Sequence, residues 1–223
     1  MKNILFALVS VLLLASCSES KTTSDKPVAK QVADNIAKAH GIEAFETLEV
    51  IDFTWNVSRP DGSTFSRRWI WEPKQDSVTT FRADQKITYN WKSLDSITNE
   101  INKGFINDKY WLVAPLQLVW DQESFSARYQ QEALSPGLEE PMQKLTIVYG
   151  GDSGGYTPGD AYDFYFKDDF IIREWVFRRA NQPEPNLISI CESYVTLGGL
   201  LIAEKHNRPD GSGALYFTDL RIE

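Results

Sequence analysis

From Glu49 onward the chain alternates apolar and polar residues with a period of two. Ile51, Phe53, Trp55 and Val57 occupy one set of positions and Asp52, Thr54 and Asn56 the other, as a half-buried strand requires. Arg59-Pro60-Asp61-Gly62 then marks a turn, because proline presets φ and glycine accepts positive φ. Phe65, Arg67, Trp69 and Trp71 resume the alternation, so residues 47–72 are expected to form a hairpin. Further strands are expected near 76–82, 86–91 and 124–131, and at Leu145–Tyr149, Tyr162–Phe166 and Phe170–Arg179. Leu187–Val195, Leu200–His206 and Leu215–Ile222 complete the set. Arg208-Pro209-Asp210-Gly211 repeats the earlier turn tetrapeptide before the last of these strands, which shared turn chemistry explains better than a duplicated domain.

Two segments change period. Val28, Val32, Ile36 and Ala39 recur at helical spacing, with Gly41 placed to stop the helix. Leu94, Ile97, Ile101 and Phe105 do so again in the middle of the chain. Asp108 is expected to cap a second short segment through Tyr110 and Val113, interrupted by Pro115 and ending at Trp120. The resulting class is mainly β (α+β): a long antiparallel sheet in hairpin order, with an N-terminal helix and a short helical insertion at 94–120. A sheet of that length should curl, which lets the insertion lie across its open face. One domain, residues 27–223, accounts for this pattern.

The first sixteen residues stand apart. Lys2 gives a positive start, Ile4 to Leu14 form an apolar run broken only by Ser10, and small residues lead into Cys17. The run is too short for a permanent membrane span and has the form of a secretory signal peptide. Leu14-Ala15-Ser16-Cys17 resembles the lipobox of bacterial lipoproteins. That resemblance implies cleavage before Cys17, a diacylglyceryl group on its thiol and acylation of the new amine. It also implies a protein held in the cell envelope by lipid, and Ser18 after the cysteine points to the outer membrane, facing the periplasm. Residues 17–26, rich in Ser, Thr and Lys, would then be a flexible tether.

Charge and cysteine content narrow the partners. A formal charge of −8, one unit more negative once Lys2 is removed, disfavours nucleic acid and electrostatic binding to anionic lipid. Cys17 and Cys191 are the only cysteines. With Cys17 lipidated, Cys191 has no intramolecular partner, and stability must come from packing.

Motifs for catalysis are weak. Gly151-Asp152-Ser153-Gly154-Gly155 spells the nucleophile motif of trypsin-like proteases. His40 lies on an expected helix and His206 follows the serine, however, so no triad is expected and Ser153 is not assigned as a nucleophile. Asp152, Asp160 and Asp163 make an acidic glycine loop that is either solvated or a calcium site, without EF-hand spacing. Two distant histidines and one free cysteine give no transition-metal cluster. Neither a catalytic residue nor a cofactor is assigned.

The aromatic residues carry more information: seven tryptophans, nine tyrosines and twelve phenylalanines. Several stand beside arginine, as in Arg67-Arg68-Trp69 with Trp71, and Arg173 with Trp175, Phe177 and Arg179. These are either a sheet core covered by arginine stems or a concave apolar surface with arginine at its rim. The stretch from Ala37 to Leu48 leading into the strand at Glu49–Val57, the insertion at 94–120 and the late hairpins together resemble the LolA/LolB-type lipoprotein-carrier superfamily. The resemblance implies a strongly curled half-barrel whose cavity holds acyl chains of a lipoprotein or another lipid. The candidate lining is Phe53, Trp55, Trp69, Trp71, Ile101, Phe105, Trp111, Trp175 and Phe177. A pocket of several hundred Å³ under the insertion is therefore expected. A glycan-binding module or a hydrolase of unidentified class is the competing reading.

Overall fold

The computed structural model describes residues 26–83, 85–151 and 158–223. Cys17, the signal segment, Asp152 and Ser153 lie outside the described residues. Two helices open the fold, α1 (Lys26–Ala39) and the single turn α2 (Ile42–Phe45). Four strands follow: β1 (Ile51–Ser58), β2 (Thr64–Glu72), β3 (Ser77–Arg82) and β4 (Gln85–Asn90). Helix α3 (Ser96–Trp120) separates them from β5 (Phe125–Leu134), β6 (Pro141–Tyr149), β7 (Ala161–Phe166) and β8 (Ile172–Arg178). The chain ends with β9 (Leu187–Leu197), β10 (Leu200–Asn207) and β11 (Ala214–Ile222).

All eleven described strands belong to one open antiparallel sheet in the order β4-β3-β2-β1-β11-β10-β9-β8-β7-β6-β5. The chain builds one side outward from β1 to β4, and α3 then carries it to the opposite edge. From β5 it returns strand by strand until β11 lies beside β1, with Val57 opposite Leu215 and Trp55 opposite Phe217. One long connection therefore joins the two free edges, and α3 is that connection.

This topology requires curvature. Neighbouring strands lie about 4.8 Å apart, so the six steps from β2 to β7 would span about 29 Å in a flat sheet. Phe105 of α3 nevertheless packs on Trp69 and Trp71 of β2. Tyr110, only about 7.5 Å further along the helix axis, packs on Tyr162 of β7. Both contacts exist only if the sheet wraps around the helix.

The insertion differs from its sequence expectation. Ser96–Trp120 is helical in two pieces that meet at a kink at Val113, so the break falls five residues after Asp108 and not before it. Asp95 caps the first piece: its carboxylate accepts from Thr98 N at 2.7 Å, and Thr98 Oγ1 accepts from Asp95 N at 2.9 Å. Asp108 therefore caps nothing and is fully buried in mid-helix. Pro115 does remove a backbone donor, and the helix bends at Val113 (φ −128°, ψ 28°). Packing carries the chain through the bend, because Leu112, Val113, Ala114, Leu116 and Leu118 are all buried around it. Of the expected apolar stripe, Ile101 and Phe105 are buried while Ile97, in the first turn, is 70% exposed.

The apolar interior has two lobes. One joins β1, β2, β10 and β11 to Ile101, Phe105, Leu112 and Leu116 of α3. The other joins α1 and β6–β8 to Ala114 and Leu118. The end of α1 docks closely on the β9–β10 turn. Gly41 adopts φ +86°, and a Cβ there would lie 2.1 Å from Gly199 O, so only glycine fits.

Candidate functional site

Helix α3 is fixed to the sheet by a buried polar knot. Asp108 accepts from Arg67 Nε at 2.7 Å, from a second N–H of the same guanidinium, and from Trp69 Nε1 at 2.8 Å. Asn107 Nδ2 donates to it at 2.9 Å. Burial pushes the Asp108 carboxyl up, and Arg67, Asn107 and Trp69 oppose that shift. The Arg67 guanidinium also lies over the Trp55 ring, 4.6 Å from its centroid.

Beyond this knot the helix meets an aromatic stack. Trp111 meets Trp175 edge-on at 4.4 Å and His206 at 5.3 Å. The space around Trp111, Trp175, Cys191, Tyr194 and His206 is nearly closed, leaving only about 20 Å³. The large cavity expected beneath the insertion is therefore filled. Ile101, Phe105, Leu112, Val113 and Leu116 of α3 enter the concavity and pack against its strands.

Open space lies instead at one end of the wrapped sheet. A groove of about 370 Å³ runs between Asn107 and Trp111 of α3 and the strand ends of β1, β9, β10 and β11. Its apolar wall comprises Trp55, Val57, Trp111, Leu187, Ile188 and Leu215. Its mouth carries Arg59, Pro60 and Arg208. Trp55 is 8% exposed, and its indole N–H has no hydrogen-bond partner. The indole N–H groups of Trp71 and Trp175, in the packed core lobes, are likewise without partners. Larger hollows of about 610 and 820 Å³ flank β5–β8. Both mix apolar and charged lining: Leu134, Val148 and Val176 with Arg128, Lys144, Asp163 and Arg178 in the first, and Leu134, Pro141 and Met142 with Glu132, Lys167 and Asp168 in the second.

The sequence candidates divide accordingly. Trp55 and Trp111 line the groove. Phe53, Trp69, Trp71, Ile101 and Phe105 are packed into the first core lobe. Trp175 borders the small void and Phe177 packs against the second lobe. The arginines singled out beside tryptophan are largely engaged: Arg67 with Asp108, Arg68 with Asp52 and Arg173 with Asp169. The rim arginines are Arg59 and Arg208, which stand in the two copies of the turn tetrapeptide. That repeat was the available signal in the sequence, and turn chemistry masked it.

Ser189 Oγ and Cys191 Sγ lie 3.5 and 3.7 Å from His206 Nδ1, whereas the loop acids are dispersed. Asp160 accepts from Ala180 N at 2.7 Å, while Asp163 pairs with Arg178 at 2.9 Å and accepts from Thr146. Two of the three loop acids are thus committed to other partners. His40 Nδ1 lies 2.9 Å from Ile36 O, and burial depresses its pKa to about 4. Burial depresses that of His206 to about 3. Among the described residues no group of three or more His, Cys, Asp or Glu side chains is placed to hold a metal. No described helix is long and apolar enough to cross a membrane.

No protein-family model matches the chain, and no curated protein matches it. Solved structures do. A DUF1329 family protein from Desulfovibrio piger ATCC 29098 superposes with a TM-score of 0.51 at 11% identity, over 90% of this chain and 94% of that one. The LolA superfamily protein NE2245 from Nitrosomonas europaea gives 0.47 at 8% identity, over 87% and 93%. The first likeness extends over nearly both whole chains and establishes a shared fold.

Proposed function

We propose that the protein is a lipid-anchored envelope component whose half-barrel takes one hydrophobic ligand, such as an acyl chain, into the groove beside α3. The observation that carries this reading is the groove itself: about 370 Å³, walled by Trp55, Val57, Trp111, Leu187 and Leu215 and open at an arginine-bearing mouth. Its volume falls at the lower end of the range usual for small-molecule sites, about 300–1,000 Å³. An apolar wall with few polar groups at one end suits an amphiphile. Ser189 Oγ lies 3.5 Å from His206 Nδ1 in the lining, but burial depresses the pKa of that ring to about 3 and its Nε2 has no partner to orient it as a base. Acylated Cys17 holds the domain at the outer membrane, facing the periplasm, where such ligands are at hand. A glycan platform on the tryptophans of β1, β2 and β8 is disfavoured because Trp55, Trp69, Trp71 and Trp175 are buried, while Trp91 and Trp120 are exposed at 37% and 38%.

Two measurements test the halves of this proposal. The full chain, titrated with a fluorescent fatty acid, should bind saturably, and Leu187→Lys, which places a charge in the apolar wall, should abolish the signal. Absence of saturable binding removes the ligand claim. Cys17→Ala should move the protein from the membrane fraction to the soluble fraction or leave it unprocessed. A wild-type protein that is already soluble removes the anchor claim.

A further inference from the structure

Arg59-Pro60-Asp61-Gly62-Ser63 and Arg208-Pro209-Asp210-Gly211-Ser212 are the same pentapeptide in two hairpin turns. They also fold alike. Gly62 N donates to Arg59 O and Gly211 N to Arg208 O, each at 3.0 Å. Ser63 N donates to Asp61 Oδ1 and Ser212 N to Asp210 Oδ1, each at 2.9 Å. Because β1 and β11 are neighbours, the β1–β2 and β10–β11 turns emerge at one end of the sheet, stitched together by Ser58. Its Oγ donates to Ala214 O at 3.2 Å and accepts from Ala214 N at 2.9 Å. Gly213 packs so closely that a Cβ would lie 2.8 Å from Ser58 O.

The consequence is electrostatic. Each turn contains a carboxylate that its own serine holds; these hydrogen bonds, with a smaller contribution from the charge of Arg59 or Arg208, pull Asp61 and Asp210 below their ordinary pKa. Neither Arg59 nor Arg208 takes part in an ion pair within 4.0 Å among the described residues. Among the described residues they are the only charged ones lining the groove, in a chain of net charge −8. Two guanidiniums without a direct ion pair thus stand at the polar end of the groove, that of Arg59 also lying over the Phe65 ring, 5.8 Å from its centroid.

We infer that the twin turns form a paired-arginine site for the carboxylate of a single-chain fatty acid, whose tail lies along Trp55, Trp111 and Leu215. This rests on the groove being the ligand site proposed above. The volume favours one chain over the several acyl chains of a lipoprotein. Guanidinium groups suit a carboxylate because they donate paired N–H groups to its two oxygens.

The experiment compares dodecanoate with dodecanol on the full chain in detergent-free buffer, by calorimetry, for wild type, Arg59→Gln, Arg208→Gln and the double variant. Both substitutions fall on exposed turn residues, and an unchanged thermal midpoint verifies that the fold is intact. Wild type should bind dodecanoate about tenfold more tightly than dodecanol, as two exposed charge contacts allow. Each single variant should lose part of that preference and the double variant all of it, with dodecanol affinity unchanged throughout. Equal wild-type affinity for the two ligands overturns the headgroup site and leaves the groove standing. So does a double variant that still discriminates. If neither ligand binds, the groove and the headgroup site fall together.

Discussion

Asp108 and Arg67 form a two-point ion pair across the gap between α3 and β2, with the carboxylate fully buried. The pair decides where the helix sits, because Trp69 Nε1 donates to the same carboxylate. Helix α3 fills the concavity on one side of this knot and borders the groove on the other.

Asp108→Ala should therefore destabilise the fold by more than about 1 kcal/mol, because it leaves the Trp69 indole N–H without its acceptor and Arg67, 29% exposed, without its partner. Replacing both residues with apolar ones of similar size should recover part of the loss, since no guanidinium is then left without its partner. Equilibrium denaturation of the single and double variants measures both. A single variant within about 0.5 kcal/mol of wild type would show that the knot does not hold the helix.

Gly41→Ala should cost more than about 1 kcal/mol, because a side chain there requires φ +86° and meets Gly199 O. Thermal denaturation checks it. An unchanged midpoint would mean that α1 does not dock on the β9–β10 turn as described.

Stability should fall on mild acidification. Burial holds His40 at about 4 and His206 at about 3, both below the ordinary 6.5. Between those values the unfolded chain binds more protons than the folded one. The stabilisation is complete above about pH 6.5 and declines as pH falls toward the folded values, by up to about 1.4 kcal/mol per pH unit for each histidine. Denaturation at pH 7.5, 6.0 and 5.0 should show the decline, and His206→Gln should flatten it. Constant stability across that interval would contradict the buried, neutral state of these rings.

The hairpins were legible in the sequence because each is local. Alternation from Ile51 to Val57 and the Arg59-Pro60-Asp61-Gly62 turn specify β1 and β2 without reference to the rest of the chain. Helix α3 was harder, since Pro115 does interrupt the helix at Val113 but packing on both sides of the kink keeps the two pieces together. The groove was least legible. Val57 and Leu215 face each other only through the β1–β11 pairing, and Trp111 joins them only because the sheet wraps. Pattern also finds buried aromatics without saying which border open space. Trp55 and Trp111 do, whereas Phe53 and Trp69 fill the core.

Whether a ligand occupies the groove is tested most directly by photo-crosslinking the full chain with a diazirine fatty acid and mapping the labelled peptides. Adducts should concentrate on residues 55–60, 107–111 and 206–215, and excess unlabelled dodecanoate should suppress them. Saturable adducts on the hollows along β5–β8 instead, or labelling that competitor does not reduce, would contradict a ligand site beside α3.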